Sequence, residues 1–346
     1  MMDVQATSDR SKGTAGEKPA LPSPMLWEYL TPLRPYLVDE SLTEICVNRP
    51  NELWIEGRDG WTAHPLKMDF QKCMHLARLI ATHNSKAVTE NNPIFSGSLP
   101  KGERIQVVVP PACAPGTVSF TIRKPSMVDK TLDELDEEGA FSEYEVTENR
   151  LQPFEHELLA LRHDGKIKDF LDLAVKRQRN ILVVGKTGSG KTTITKSLIR
   201  SIPDHERLVT IEDVHELFLN QHRNKVHLFY AREDESGSKV TPKQALASCL
   251  RMKPDRILLA ELRGDEAWEF IKSVNTGHPG SISTMHANGA YEAFEQLTAL
   301  VKDSQTGSHL DVAYIRHRLL TTIDIVLYYH RRRLQEIWYD PEQKRQ

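Results

Sequence analysis

One stretch of the sequence restricts the possible folds more than any other. The apolar run ILVV, residues 181–184, leads directly into GKTGSGKTT, residues 185–193. This matches the pattern GxxxxGK[ST], in which glycines let the backbone curl so that its N–H groups face phosphate oxygens. Such a loop has to join a strand to a helix, because the helix directs its positive end at the same phosphates. The sequence therefore predicts an α/β domain that binds a nucleotide.

Every residue of this loop is a candidate for contact with the nucleotide. The candidates are Gly185, Lys186, Thr187, Gly188, Ser189, Gly190, Lys191, Thr192 and Thr193. Lys191 would add a positive charge at the β- and γ-phosphates, and the Thr192 hydroxyl group is suited to ligate Mg²⁺. The motif thus predicts a nucleotide bound together with Mg²⁺.

Phosphoryl chemistry also needs acids that support Mg²⁺ and orient water. Glu212 and Asp213 follow an apolar run in RLVTIEDVHEL, residues 207–217, and Glu261 follows one in RILLAELRGDE, residues 256–266. Carboxylates at the C-terminal ends of strands beside a P-loop strand converge on the γ-phosphate and the metal. For either acid taken alone, a solvated strand end is the alternative.

The class of P-loop protein is narrowed by a motif that is incomplete. GTPases read their base with NKxD, and here Asn224 and Lys225 are followed by His227 where Asp is required. The sequence thus argues against a GTPase. A small-molecule kinase stays possible on the phosphate loop alone.

The sequence before the P-loop region predicts a small separate domain. Residues 1–25 are polar and rich in Ser, Gly and Pro, which is typical of a mobile arm. Residues 26–124 combine short strand patterns with a helical spacing over residues 69–83, for which Asp69 is a candidate N-cap. This pattern indicates an α+β domain.

A change in composition separates this domain from the next one. Residues 124–150 hold nine acidic and three basic residues, so we predict an acidic linker at 125–150, with a short surface helix at 132–138 as the alternative. In residues 151–346, short apolar strands alternate with helices. That alternation predicts an α/β domain with an at least partly parallel sheet.

Charge and composition exclude several other classes. A net charge of −3 and a pI of about 6.5 make direct nucleic-acid binding unexpected. The four cysteines match neither a metal-ligand spacing nor a disulfide framework, which suits a reducing compartment. The sequence has no run of about 18 apolar residues, so we expect no transmembrane segment. The N-terminus lacks the apolar region of a signal peptide.

Two histidines stand eight residues apart in TGHPGSISTMHA, residues 276–287. A zinc site would need a third ligand at a recognisable spacing, and a serine nucleophile of the hydrolase type would need GxSxG. Neither pattern surrounds His278 or His286. The residues alone therefore leave a structural role open for both.

Four sequence boxes, taken in order, resemble one known family. GKTGSGKTT, TIEDVHEL, RILLAELRGDEA and TGHPGSISTMHAN are similar to the Walker A, Asp, Walker B and His boxes of the hexameric ATPases of type II and type IV secretion systems and type IV pili. LTEICVNRPNELWIEG and LPKGERIQVVVPP resemble the N-terminal domain of the type IV branch, the traffic ATPases of conjugation and virulence (VirB-type) operons. The chain lacks the tetracysteine zinc module that is common in type II secretion ATPases, which separates it from that branch. It also departs from the family in placing Ala260, where Gly is usual, before Glu261.

The resemblance implies a RecA-like ATPase domain and roles for the acidic and histidine boxes. ATP would be the nucleotide, with Thr192 and Glu261 on the Mg²⁺ side. We expect Glu212 as the base that activates water, although spacing does not decide between Glu212 and Glu261. His286 would sense the γ-phosphate, whereas His278 is left open.

Two arginines of the N-terminal domain complete the implied site. Arg104 in GERIQ and Arg123 in TIRK match arginines that reach the γ-phosphate from above. A linker at 125–150 could span about 90 Å when extended. We therefore expect one chain to supply these arginines to the P-loop of its neighbour.

The resemblance also implies an assembly and a location. It implies a homo-hexameric ring at the cytoplasmic face of the bacterial inner membrane, docked on other secretion-complex proteins such as further ATPases and a coupling protein. The predicted function is ATP hydrolysis coupled to substrate transfer or pilus assembly. A pilus ATPase, a nucleic-acid translocase and a nucleotide-locked scaffold are the alternatives.

Overall fold

The computed structural model describes residues 23–125, 129–144, 149–231 and 240–345. The N-terminal elements are α1 (Pro24–Leu30), a 3₁₀ turn (Thr31–Leu33), α2 (Arg34–Val38), β1 (Glu44–Arg49), β2 (Glu52–Gly57), β3 (Gly60–Pro65), α3 (Phe70–His83), β4 (Ile94–Ser98), β5 (Arg104–Val108), β6 (Ser119–Arg123) and α4 (Leu132–Glu137). They agree with the α+β pattern predicted from the sequence, to which they add β4 and the first two helices. The predicted arm at residues 1–25 lies mostly outside the described residues, and α1 begins within its last two positions.

The N-terminal strands form one antiparallel sheet in the order β3-β2-β1-β6-β5-β4. Helix α3 begins where predicted, because the Asp69 carboxylate accepts a hydrogen bond from the Lys72 backbone N–H at 2.8 Å. Its apolar residues recur at helical spacing and bury one face, including Cys73, Ala77 and Ile80. The sheet and this helix enclose a single apolar core.

The predicted alternative for the acidic segment is confirmed, since a short helix occupies Leu132–Glu137. Thr131 and Glu134 form a reciprocal capping box at its start. The helix has no buried residues, so it does not contribute to the apolar core of the N-terminal sheet. The cut between the two domains at 125–150 stays a prediction.

The C-terminal elements alternate between helices and strands. They are α5 (Pro153–His163), α6 (Ile167–Lys176), β7 (Ile181–Val184), α7 (Lys191–Arg200), β8 (Leu208–Glu212), β9 (Lys225–Phe229), α8 (Pro242–Cys249), β10 (Arg256–Leu259), α9 (Glu266–Val274), β11 (Ile282–Met285), α10 (Glu292–Asp303), α11 (Val312–Thr322), β12 (Ile325–His330), β13 (Arg333–Trp338) and a final 3₁₀ turn (Gln343–Arg345). Strands β10, β8 and β9 pair in parallel, as do β11, β7 and β12, and β13 closes the second sheet antiparallel to β12. The predicted fold class is confirmed.

The hydroxyl groups of SISTM link the two parallel sheets. Ser283 Oγ donates to the Leu259 carbonyl at 2.7 Å, and Thr284 Oγ1 donates to the Ala260 carbonyl at 2.8 Å. The Leu262 N–H also donates to the Thr284 carbonyl at 2.9 Å. Strands β10 and β11 therefore run side by side, and the C-terminal ends of β7, β8, β10 and β11 meet at one edge.

The N-terminal sheet packs against the C-terminal part of the same chain. Arg207 is fully buried there and donates to Asn48 at 2.8 Å and to the Met252 carbonyl at 2.9 Å. Asn48 donates in turn to Asn224 at 2.9 Å. Because Arg207 immediately precedes β8, this contact ties the sheet to the strand that ends at Glu212.

All four cysteines are free and buried. Among the described residues, no helix combines the length and the apolar character that crossing a membrane requires.

Candidate nucleotide-binding site

A cleft of about 720 Å³ lies at the edge where these strands end. It is lined by Thr187, Gly188, Ser189, Gly190, Lys191, Thr192, Thr193, Thr195, Asp213, Val214, Glu216, Leu217, Ala260, Glu261, Arg263, Thr284, His286 and Arg332. The phosphate loop, the Asp box, the Walker B box and the His box thus all contribute to one cleft.

The loop backbone explains why three of its positions are glycine. Gly185, Gly188 and Gly190 have φ values of 152°, 73° and 100°, a region that other residues avoid. A Cβ on Gly185 would also lie 2.3 Å from the Tyr329 carbonyl oxygen. No other heavy atom lies within 4 Å of the position that a Cβ on Gly188 would take. The loop therefore leaves space for a ligand on this side.

Lys191 begins helix α7 and is folded back onto the loop. Its Nζ donates to the carbonyl groups of Gly185 at 2.7 Å and Lys186 at 3.1 Å. Burial lowers the pKa of Lys191 below its ordinary value, and the Glu261 carboxylate opposes that shift. The Lys191 amino group is therefore already positioned at the mouth of the loop.

The oxygen atoms around Thr192 suit a hard cation. The Thr192 hydroxyl lies 3.4 Å from a carboxylate oxygen of Glu216, and Asp213 and Glu261 line the same cleft. Hydroxyl and carboxylate oxygens are the ligands that Mg²⁺ accepts in nucleotide sites. The residues present therefore fit the ion that the motif implies.

Glu261 faces the cleft, and its Oε1 is buried without a hydrogen-bond partner. His286 Nε2 lies 2.8 Å from Glu261 Oε1, and the Arg263 guanidinium contacts Oε2. Arg263 also lies 3.4 Å from Asp213. The two boxes that supply Glu261 and His286 are brought together as the resemblance implied, and the pair can orient a carboxylate toward a ligand in the cleft.

Glu212 is placed differently. It is fully buried and does not line the cleft. One oxygen accepts from the backbone N–H groups of Glu216 and Leu217, both at 2.8 Å, and the other accepts from the Thr210 hydroxyl at 2.6 Å. Burial alone would raise the pKa of Glu212, but hydrogen bonds from His227, Thr210 and these N–H groups outweigh it and hold the pKa below its ordinary value. The side chain thus fastens the loop that carries Asp213 and Glu216 into the cleft.

One group of potential metal ligands lies behind that loop. Atoms of Glu212, His215 and His227 come within 4.8 Å of one another. The Thr210 hydroxyl already donates to Glu212 and lies 2.9 Å from His227 Nδ1, so it accepts a hydrogen bond from that nitrogen. Glu212 and His227 therefore share a hydrogen-bond network with Thr210, and the His215 ring packs against the His227 ring.

Three other candidate residues lie away from the cleft in the single chain. His278 is half-buried, with Nδ1 3.1 Å from the Pro254 carbonyl oxygen. Arg104 and Arg123 are exposed partners across β5 and β6, and Arg123 lies 3.7 Å from Glu44. None of the three is among the residues that line the cleft.

Sequence reasoning missed Arg263, Glu216 and Arg332 as lining residues. The first two stand close to predicted acids, in AELRGDE and EDVHEL, and their charges were a usable signal. Arg332 comes from the turn between β12 and β13, 140 residues beyond Thr192 in the sequence. Only the pairing of β12 with β7 brings it to the loop.

Comparison with known proteins agrees with this geometry. Residues 28–327 match the family described as type II/IV secretion system protein. The type IV secretion system protein VirB11 of Brucella suis is 45% identical over 327 residues, which are 92% of this chain and 91% of that protein. PtlH, a type IV secretion system protein of Bordetella pertussis, is 41% identical over 325 residues, 90% of this chain and 94% of that protein.

A solved structure supports the same conclusion. The crystal structure of the VirB11 ATPase from the Brucella suis type IV secretion system, in complex with sulphate, superposes with a TM-score of 0.86 at 43% identity and covers 92% of this chain and 99% of that one. The fold, the cleft and these relatives agree: this chain belongs to the type II/IV secretion system protein family, as an ATP-hydrolysing secretion ATPase of the type IV branch.

Proposed function

We propose that ATP hydrolysis in this cleft drives substrate transfer or pilus assembly by a bacterial type IV secretion system. The observation that carries the proposal is the convergence of Lys191, Thr192, Glu261 and His286 on one cleft. Relatives that carry the name of type IV secretion system proteins support the cellular context.

The loop residues bind the phosphate chain. Lys191 exchanges its two carbonyl contacts for the β- and γ-phosphates, and the glycine backbone and the start of α7 supply N–H donors. Such a preformed arrangement stabilises charge on the transferring phosphoryl group without reorganisation during the reaction.

Thr192, Glu261 and the neighbouring carboxylates would hold Mg²⁺. When bound, this ion would neutralise negative charge on the phosphate chain. His286 Nε2 lies 2.8 Å from Glu261 Oε1, so loss of the γ-phosphate would be sensed at the same pair of residues.

Glu261 is also the acid with an oxygen, Oε1, that accepts no hydrogen bond from the protein. It borders the cleft, whereas both oxygens of Glu212 are occupied by the protein. We therefore assign water orientation to Glu261 in this conformation and loop positioning to Glu212. This reverses the expectation taken from the family boxes.

Arg104 and Arg123 complete the site from a neighbouring chain. They are exposed side by side on the N-terminal sheet, and that sheet is fastened to its own C-terminal part at Arg207, away from the cleft. Head-to-tail contacts between chains place such a surface over the next P-loop and close into a ring, which we propose to be a hexamer. The ring would act at the cytoplasmic face of the inner membrane on other secretion-complex proteins.

Mixing two inactive variants tests this proposal. One chain carries Arg104→Ala with Arg123→Ala, and the other carries Lys191→Ala. If the arginines act between chains, a mixed ring contains some sites with intact arginines above an intact loop, and Mg²⁺-dependent ATP hydrolysis returns.

Subunit exchange is first verified by co-purification through a tag on one variant. An exchanged ring that stays inactive would contradict supply between chains while leaving the hydrolysis site itself untouched. If either variant hydrolysed ATP by itself, the residues changed in that variant would not belong to the site.

A further inference from the structure

The turn between β12 and β13 has an unfavourable sequence for its shape. His330 pairs with Arg333, so Arg331 and Arg332 alone form the turn, with φ values of 47° and 62°. Two-residue turns of this kind need positive φ at both positions and favour Asn-Gly, because other side chains clash with their own backbone there. Two consecutive arginines therefore carry a steric cost that glycine would avoid.

This turn rests on the phosphate loop. The Arg332 backbone N–H donates to the Ser189 carbonyl at 2.9 Å. A Cβ on Gly190 would lie 3.3 Å from Arg332 Cα and 3.6 Å from its Cγ. The stem of Arg332 thus runs across Gly190, directly before helix α7 begins.

The two arginines of the turn differ in where they lie. Arg332 lines the cleft, and Arg331 does not. Both are exposed, and among the described residues no acceptor is hydrogen-bonded to the Arg332 guanidinium. A cation that carries backbone strain at the rim of a site is better explained by a ligand than by folding.

We propose that Arg332 binds the phosphate chain of the nucleotide opposite Glu261 and His286. This inference rests on the proposed nucleotide site and assigns it a further ligand. The planar guanidinium offers paired donors that match phosphate oxygens. Arg332 would thus add a planar cation to the compact positive charge that Lys191 supplies.

The sheet order decides which phosphates Arg332 serves. Strand β7 lies between β11, which leads to His286, and β12, which leads to Arg332. The residues that handle the γ-phosphate therefore stand on one side of the loop, and Arg332 stands on the other. Arg332 should consequently contribute to ADP binding as much as to ATP binding.

Four variants of the full chain separate binding from turn strain. Arg332→Gln and Arg332→Gly should each weaken ADP binding, measured with a fluorescent ADP analogue, by roughly 10- to 100-fold. Inorganic pyrophosphate should lose a similar factor as a competitor. Arg331→Gln and Arg331→Gly are the matched controls and should bind ADP within about twofold of the parent chain.

The glycine variants provide the decisive contrast. Relief of positive φ should raise the melting temperature of both Arg331→Gly and Arg332→Gly by about 2–4 °C. The inference predicts that Arg332→Gly is more stable yet binds more weakly. ADP affinity in Arg332→Gly and Arg332→Gln within about twofold of the parent chain would overturn it. A parent chain that fails to bind ADP would instead refute the nucleotide site on which the inference rests.

Discussion

Glu212 ends strand β8 and Glu261 follows the neighbouring strand β10 of the same parallel sheet, yet their side chains have different surroundings. Glu212 is fully buried, and backbone and side-chain donors occupy both of its oxygens. Glu261 borders the cleft, between His286 and Arg263. The difference shows that position at a strand end brings an acid near a site, while the donors around it decide whether it shapes the site or acts within it.

Among the residues of this comparison, the largest expected effect comes from Glu261→Gln. Removing the charge that faces the cleft should reduce the rate of ATP hydrolysis by about 10²–10⁴-fold, the range of a lost acid–base group. ADP affinity without Mg²⁺ should change little, because the phosphate loop is intact. Steady-state turnover and ADP titration measure the two quantities. Turnover within about tenfold of the parent chain would remove Glu261 from the reaction.

His286→Ala should have a smaller effect of the same kind. It leaves Glu261 charged but releases one of its two contacts, so we expect turnover to fall roughly 10-fold with ADP affinity nearly unchanged, a loss of about 1.4 kcal/mol. His278→Ala is the matched control, because His278 lies away from the cleft. If His286 acts through Glu261, the double variant should be no slower than Glu261→Gln alone. Equal losses in turnover and ADP affinity would contradict this role.

Glu212→Gln should lower the stability of the fold more than it lowers the rate of ATP hydrolysis. An amide cannot accept every hydrogen bond that the carboxylate accepts, so the free energy of unfolding should fall by about 1–3 kcal/mol. The folded-state pKa of Glu212 is lowered. Its stabilisation should therefore be complete above the unfolded pKa of about 4.3 and be lost as the pH falls through the lower folded value.

Denaturant unfolding of the parent chain and Glu212→Gln, at neutral pH and at pH values below 4, checks this prediction. The gap between the two should narrow toward acid. A fully stable Glu212→Gln variant with the turnover loss expected for Glu261→Gln would show that Glu212, and not Glu261, is the base.

Much of this arrangement could be predicted from the sequence. The strand ILVV, the glycines of the loop and the acids after apolar runs are local patterns, and each predicted its element and its edge of the sheet. What the pattern did not contain was the set of donors around Glu212. Those come partly from its own loop and partly from His227 on β9, a pairing that only the sheet order creates.

Arg332 also lies in the cleft without any local sequence pattern that predicts its place there. No spacing relates the turn RRR to the loop GKTGSGKTT, because the two meet only through the pairing of β12 with β7. Arg104 and Arg123 were found only through family resemblance, and the single chain leaves them outside the cleft. If a neighbouring chain supplies these arginines, as we propose, contacts within one chain do not reveal their place in the site.

The central claim is that ATP is hydrolysed in the cleft that Lys191 enters, and the rate of Mg²⁺-dependent hydrolysis by Lys191→Ala tests it most directly. Arg200→Ala, which removes a positive charge from the exposed end of the same helix, is the control. We predict that Lys191→Ala abolishes hydrolysis, because the β- and γ-phosphates lose their cation, and that Arg200→Ala hydrolyses ATP as the parent chain does. Hydrolysis by Lys191→Ala within about tenfold of the parent rate, about 1.4 kcal/mol, would contradict the account.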